Sequence, residues 1–151
     1  VKIIVDENIP YGREAFETLG EVVLRPGRAI SRDDVRDADL LMVSWGSTYG
    51  PIRAAIENLR ATSDVKVAHV HLRWLNPLPA NTGDVLRAYR RVVVPEMNLG
   101  QLSKVLRAEF LVDVQSVTSV RGLPFAVPDV MTLMREHAEE LADASEKEMA
   151  K

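Results

Sequence analysis

Leu40-Leu41-Met42-Val43 is an uninterrupted apolar run. Four consecutive apolar side chains predict a strand buried on both faces, because a half-exposed strand would alternate apolar and polar residues. Shortly after it, four apolar residues recur at positions i, i+3, i+4 and i+7, the spacing of a helix with one buried face. They are Ile52, Ala55, Ile56 and Leu59. A buried strand followed by such a helix is typical of a parallel α/β sheet.

The same alternation extends in both directions from this run. Strands are predicted at Lys2–Val5, Glu21–Leu24, Asp39–Trp45, Val65–Leu72, Arg91–Pro95 and Val112–Val114. Helical patterns lie between them, including Tyr11–Leu19 and a helix that begins at Ser31. We therefore expect a three-layer α/β sandwich, with a flavodoxin-like, mainly parallel sheet of five to six strands and helices on both faces.

No linker or repeat interrupts this pattern, so residues 1–142 are predicted to form a single domain. A last helix begins near Pro128 and places Val130, Met134 and Leu141 on one face. Residues 143–151 are charged and poor in large apolar groups. We expect this tail to fray.

Composition narrows the functional classes. The 151 residues include no cysteine, which excludes thiolate chemistry and the usual ligands of an iron–sulfur cluster. A net charge of −3 argues against nucleic-acid binding. No apolar run is long enough to span a membrane and no signal segment opens the chain, so we expect no membrane partner and a cytoplasmic location.

The loop Gly46-Ser47-Thr48-Tyr49-Gly50 joins the buried strand to the amphipathic helix. Free N–H groups at a helix start, together with two hydroxyls, favour anions. The loop is therefore a candidate anion site. The alternative is a capped helix with an empty loop.

Asp6, Glu7 and Asn8 follow the first strand, and Ser44 follows the central run. If the strand order is 2-1-3-4-5, these residues line one crevice at the carboxyl ends of the strands, where doubly wound sheets bind ligands. Alternatively they only shape the turn into the first helix. No residue is predicted to be catalytic.

His69 and His71 are two residues apart in a predicted strand, so both rings project from the same face. Two imidazoles are half of a metal site, and no further His or Cys completes an obvious set. We predict no metal and no cofactor. The simpler interpretation is that both rings pack between sheet and helix.

The first part of the chain resembles erythronate-4-phosphate dehydrogenase of the D-2-hydroxyacid dehydrogenase family. The likeness, over residues 1 to about 43, lies in Val1–Tyr11, Leu19–Val22, Pro26–Arg28 and Asp37–Val43. In that family the stretch opens a flavodoxin-like substrate domain and continues from the third strand into Arg-Ser. Here Ser44-Trp45-Gly46 follows instead, and the nucleotide-binding glycine motif is absent.

The rest, from about residue 39 to 129, resembles the α subunit of 2-oxoglutarate:ferredoxin oxidoreductase. The likeness lies in Val43–Pro51, His71–Pro79, Val94–Leu102 and Gly122–Phe125. The resemblance implies a domain like the C-terminal domain of transketolase, which packs between subunits and does not supply the thiamine diphosphate chemistry.

Two resemblances that meet within residues 37–44 lead to the hypothesis of an engineered chimera, a de novo combination without a complete active site or natural catalytic function. The first alternative is an interaction domain of a 2-oxoacid:ferredoxin oxidoreductase that retains a tendency to form homodimers. The second is a weak anion or small-ligand binder at the strand-end crevice.

Overall fold

The structure is a computed structural model that describes residues 2–6, 13–14, 17–18, 21–25 and 38–149. The chain divides into two units, Val1–Arg36 and Asp37–Lys151. That residues 1–142 form a single domain stays a prediction.

The first unit contains strands β1 (Lys2–Asp6) and β2 (Glu21–Arg25). They pair in parallel, from Lys2 opposite Glu21 to Asp6 opposite Arg25. Both strands were predicted within one residue of these bounds. The helices predicted at 11–19 and from Ser31 lie largely or wholly outside the described residues.

The second unit alternates strands and helices. Its strands are β3 (Leu40–Trp45), β4 (Val67–Leu72), β5 (Arg91–Glu96) and β6 (Val114–Thr118). Its helices are α1 (Tyr49–Thr62), α2 (Thr82–Arg87), α3 (Gln101–Phe110) and α4 (Val127–Met149), and a single 3-10 turn (Gly46–Thr48) precedes α1. Helix α4 therefore includes most of the tail predicted to fray, and that prediction is untested.

All four strands of this unit are parallel, in the order β4-β3-β5-β6. The predicted fold class is confirmed, with four strands in the described sheet rather than five or six. The conditional order 2-1-3-4-5 does not hold in this sheet, because β3 lies between β4 and β5 whereas that order places β4 between β3 and β5. The sequence could not reveal this, since a crossover helix reaches either side of a central strand.

The helices cover both faces of the sheet. The chain runs outward from β3 to β4 and then back across β3 to β5, and right-handed crossovers place the intervening helices on opposite faces. Helices α1 and α4 cover one face and α2 and α3 the other, each with its own apolar core.

The apolar run that begins β3 is the centre of both cores. Leu40 and Met42 face α1 and α4, and Leu41 and Val43 face α2 and α3. All four side chains are at most 1% exposed. The predicted stripe of α1 is also buried, as are Val130, Met134 and Leu141 of α4. The sequence pattern therefore identified the core correctly.

Candidate functional site

Polar side chains meet on the α1 face of the sheet, near the carboxyl ends of β3 and β4. The register places Ser44 of β3 opposite His71 of β4, and His69 lies two residues earlier on the same face. Ser44 Oγ lies 2.7 Å from His69 Nε2 and 2.8 Å from His71 Nδ1. One fully buried hydroxyl is thus shared by two half-buried imidazoles.

The first turns of α1 lie against these rings. The Tyr49 ring stacks on His69 with 5.7 Å between ring centroids, and its centroid is 4.8 Å from that of His71. Arg53 donates a 2.7 Å hydrogen bond to the Tyr49 hydroxyl, which holds the phenol in place. We call Ser44, His69, His71, Tyr49 and Arg53 the histidine cluster.

Both imidazoles of the cluster are held in the neutral form. Burial lowers the pKa of His69 to about 4, and the nearby His71, Arg53 and Arg60 act in the same direction. Burial also lowers the pKa of His71, with Arg73 adding to the effect. Neutral imidazoles are able both to accept and to donate a proton.

The two imidazoles of this cluster contact a hydroxyl. No group of three or more His, Cys, Asp or Glu side chains that could hold a metal ion occurs among the described residues. His69 Nε2 and His71 Nδ1 both point towards the Ser44 oxygen.

A buried carboxylate lies on the other face of the sheet, at the end of β5. Glu96 is 0% exposed and accepts three hydrogen bonds from the start of α3. The donors are the Leu102 N–H at 2.7 Å, the Ser103 N–H at 3.0 Å and the Ser103 hydroxyl at 2.7 Å. The carboxylate thus neutralises the positive end of the helix dipole.

The remaining N–H groups of this first turn also have acceptors. Asn98 Oδ1 accepts hydrogen bonds from Gly100 N and Gln101 N, and Gly100 O accepts one from Lys104 N. Gly100 adopts a left-handed conformation with φ of 76°, which permits this tight turn. The motif from Glu96 to Gln101 is therefore a helix cap built from the chain's own side chains.

The predicted anion loop forms the 3-10 turn and the start of α1. Gly46 has φ of 54° and open space around its Cα, and Ser47 is exposed. The Thr48 hydroxyl accepts a hydrogen bond from Trp45 N and donates one to Trp45 O, so the backbone already occupies it.

The last two residues of that loop, Tyr49 and Gly50, are the first residues of α1. Tyr49 belongs to the histidine cluster, and a Cβ added at Gly50 would meet no atom within 4 Å. An anion site at this helix start stays a prediction.

The predicted crevice residues fall in separate units. Asp6 ends β1 in the first unit, and Glu7 and Asn8 lie outside the described residues. Ser44 is in the second unit and faces the two imidazoles. A crevice shared by these four residues stays a prediction.

Sequence reasoning missed two features of this site. It did not single out Glu96, because its capping of α3 depends on where that helix begins relative to the end of β5. It placed His69 and His71 on one face but did not pair them with Ser44, because that pairing depends on the register of β3 with β4.

Exposed apolar side chains also follow the carboxyl ends of the strands. Tyr49 follows β3, Trp74 follows β4, Leu99 follows β5, and Val120 and Leu123 follow β6. Trp74 is 68% exposed and Leu99 is 72% exposed. Because carboxyl ends of parallel strands share one edge of a sheet, we call these five residues the carboxyl-edge rim.

None of the helices in the described ranges is long and apolar enough to cross a membrane. The fold and the site together define a parallel α/β domain whose buried polar groups are hydrogen-bonded within the fold and whose carboxyl edge carries exposed apolar side chains.

The chain belongs to the family described as pyruvate:ferredoxin oxidoreductase core domain II, whose model matches residues 38–133. It is 54% identical over 103 residues to the 2-oxoglutarate oxidoreductase subunit KorA of Mycobacterium tuberculosis, a match that covers 68% of this chain and 16% of that protein.

A solved structure shares the fold. The 2-oxoglutarate:ferredoxin oxidoreductase from Magnetococcus marinus, with 2-oxoglutarate, coenzyme A and succinyl-CoA bound, superposes with a TM-score of 0.62 and 34% sequence identity. The match covers 67% of this chain and 18% of that chain. This chain therefore spans less than a fifth of the length of these relatives.

The likeness to erythronate-4-phosphate dehydrogenase is partial. The protein from Saccharophagus degradans is 48% identical over 56 residues, which cover 37% of this chain and 14% of that protein.

The interpretation of the chain as an engineered or de novo chimera without natural function is wrong. Residues 38–133 match one natural domain family without a break, and both the KorA relative and the solved oxidoreductase extend that match in sequence and structure. The alternative, a domain of a 2-oxoacid:ferredoxin oxidoreductase, fits better.

Proposed function

We propose that this chain acts as an interaction domain of a 2-oxoacid:ferredoxin oxidoreductase, with 2-oxoglutarate as the substrate of the complete enzyme. The observation that carries the proposal is the carboxyl-edge rim on a domain of the core domain II family. In the relatives, most of the polypeptide lies outside the matched segment and is available to cover such a surface.

The rim has the composition of an interface centre. Trp and Tyr are enriched among residues that dominate binding energy, and a largely exposed Trp is unusual on a surface that stays in water. Leu99, Trp74 and Leu123 are the most exposed members. We infer that the rim packs against a neighbouring domain or subunit of the oxidoreductase.

The buried polar groups support a structural role for this domain. The Glu96 carboxylate caps α3, and the Thr48 hydroxyl binds the backbone of Trp45. These groups are therefore committed to the fold and are not offered to a substrate.

A hybrid enzyme tests the proposal. The unit Asp37–Lys151 replaces the matching segment of M. tuberculosis KorA, and assembly and 2-oxoglutarate-dependent ferredoxin reduction are measured. We expect an assembled, active hybrid. Trp74→Ser should weaken assembly about 30-fold, the equivalent of ~2 kcal/mol for an interface hot spot.

Leu111→Asn is the matched control. Leu111 is 90% exposed but precedes β6, at the opposite edge, and its φ of 53° suits Asn. This hybrid should assemble like the unmodified one. Equal behaviour of the two variants, or a folded hybrid without activity, would refute the proposal.

A second copy of the chain is the other candidate to cover the rim. Sedimentation velocity of the full chain distinguishes the two. A dimer that Trp74→Ser dissociates and Leu111→Asn leaves intact would favour the homodimer over the oxidoreductase.

A further inference from the structure

We propose that Ser44 joins His69 and His71 into a single proton relay, in which both rings carry the same tautomer and a proton accepted at one end is released at the other. The geometry is the shared hydroxyl, 2.7 Å from His69 Nε2 and 2.8 Å from His71 Nδ1. The inference does not depend on the proposed function.

The Ser44 hydroxyl carries one hydrogen and forms hydrogen bonds with two neutral rings. If Ser44 donates to His69 Nε2, then His71 Nδ1–H donates to Ser44, and both rings carry their proton on Nδ1. If Ser44 donates to His71 Nδ1, then His69 Nε2–H donates to Ser44, and both rings carry it on Nε2. Either arrangement gives two matching tautomers.

In one mixed arrangement both rings donate to Ser44, and the Ser44 hydrogen then needs a different acceptor. In the other, both rings present a lone pair to Ser44, and its single hydrogen satisfies only one of them. Val70 O is the nearest alternative, at 3.4 Å from Ser44 Oγ. This distance is well outside the usual range of about 2.5–3.0 Å for an O–H···O hydrogen bond. The two imidazoles are therefore the partners that fix the hydroxyl.

Conversion between the two arrangements transports one proton. His71 Nε2 accepts a proton from outside, and His71 Nδ1 passes its own proton to Ser44 Oγ. Ser44 in turn passes its hydrogen to His69 Nε2, and the half-buried His69 releases its Nδ1 proton to water. Each ring begins and ends neutral, so no oxidant, reductant or counter-ion is consumed.

The surroundings suit this exchange. The Tyr49 ring lies against both imidazoles. Burial lowers the pKa of each imidazole, with Arg53 and Arg60 adding to the effect at His69 and Arg73 at His71. A transferred proton is therefore not retained on either ring. His71 lies next to the last residue of β4, at the edge that carries the rim. The relay therefore connects that edge to the more deeply placed His69.

Nitrogen-15 NMR of the imidazoles in the full chain at about pH 7 tests the relay, since it identifies the protonated nitrogen of each ring. We expect His69 and His71 to show the same tautomer. His137 is the internal reference, because Arg91 donates to its Nδ1 at 3.1 Å and the proton must lie on Nε2. Opposite tautomers at His69 and His71 would overturn the proposal whatever the variants do.

Exchange of the His69 ring N–H with water is the second measurement. Ser44→Ala should slow it about tenfold or more, because the hydrogen-bonded route is lost. Ser44→Thr retains the hydroxyl and should restore the native rate. Unchanged exchange in a folded Ser44→Ala protein would show that no proton passes through Ser44.

Discussion

Glu96→Gln tests whether the buried carboxylate stabilises the fold by capping α3. The substitution keeps the size of the side chain but replaces one acceptor oxygen with an NH2 donor. That NH2 group must face either the Leu102 N–H or the Ser103 N–H and hydroxyl, which donate to the two oxygens of Glu96. At least one buried donor therefore loses its acceptor.

The cost follows from two effects. A buried donor left without an acceptor costs ~1–3 kcal/mol, and loss of a negative charge at a partly buried helix N-terminus costs ~0.3–2 kcal/mol. Because Glu96 is 0% exposed, water cannot replace the lost acceptor. We expect the free energy of unfolding to fall by about 3 kcal/mol, a large part of the ~5–15 kcal/mol typical of a domain.

Urea denaturation followed by circular dichroism measures this change, with an unaltered m-value as evidence of the same folded state. Ser103→Ala removes one donor and should cost ~1 kcal/mol, and Glu109→Gln on the exposed side of α3 should stay within ~0.5 kcal/mol. A Glu96→Gln protein as stable as Glu109→Gln would refute the capping argument.

Three further predictions concern acid stability, the core and the anion loop. Because the pKa of His69 falls from 6.5 to about 4 on folding, its stabilisation is present above pH ~6.5 and is lost as the pH falls towards ~4. After discounting for the partial exposure of His69, we expect the free energy of unfolding to be ~1 kcal/mol lower at pH 5 than at pH 7. The His69→Gln protein should not show this part of the pH dependence. Leu41→Asp should abolish cooperative unfolding, because it buries an unpaired charge at a 1% exposed position, whereas Leu123→Asp at the surface should not. Phosphate should shift the amide resonances of residues 46–50 at about millimolar concentration, and a response confined to another surface would contradict the anion site.

The core could be predicted from sequence because local patterns determine it. The run that begins β3 and the stripe of α1 are each specified by residues within one element, and both are buried as expected. Periodicity alone was sufficient there.

The strand order and the contacts of the histidine cluster could not be predicted in the same way. Ser44 is 25 residues from His69 and 27 from His71, and only the register of β3 with β4 joins them. The role of Glu96 likewise depends on where α3 begins relative to the end of β5. Such long-range pairings leave no periodic signal in the sequence.

The position of Glu96 has a consequence for how this domain meets anions. The connections that follow β3 and β5 run to opposite sides of the sheet, to β4 and to β6. The carboxyl edge between two such strands is where doubly wound proteins bind ligands. Here the helix start beside it is already filled by a carboxylate tethered to β5. A tethered group acts at an effective concentration of about millimolar or more, so a free anion meets a permanent intramolecular competitor. The start of α3 is thus closed to phosphate by the chain's own carboxylate, and the anion site predicted at residues 46–50 lies at a different helix start.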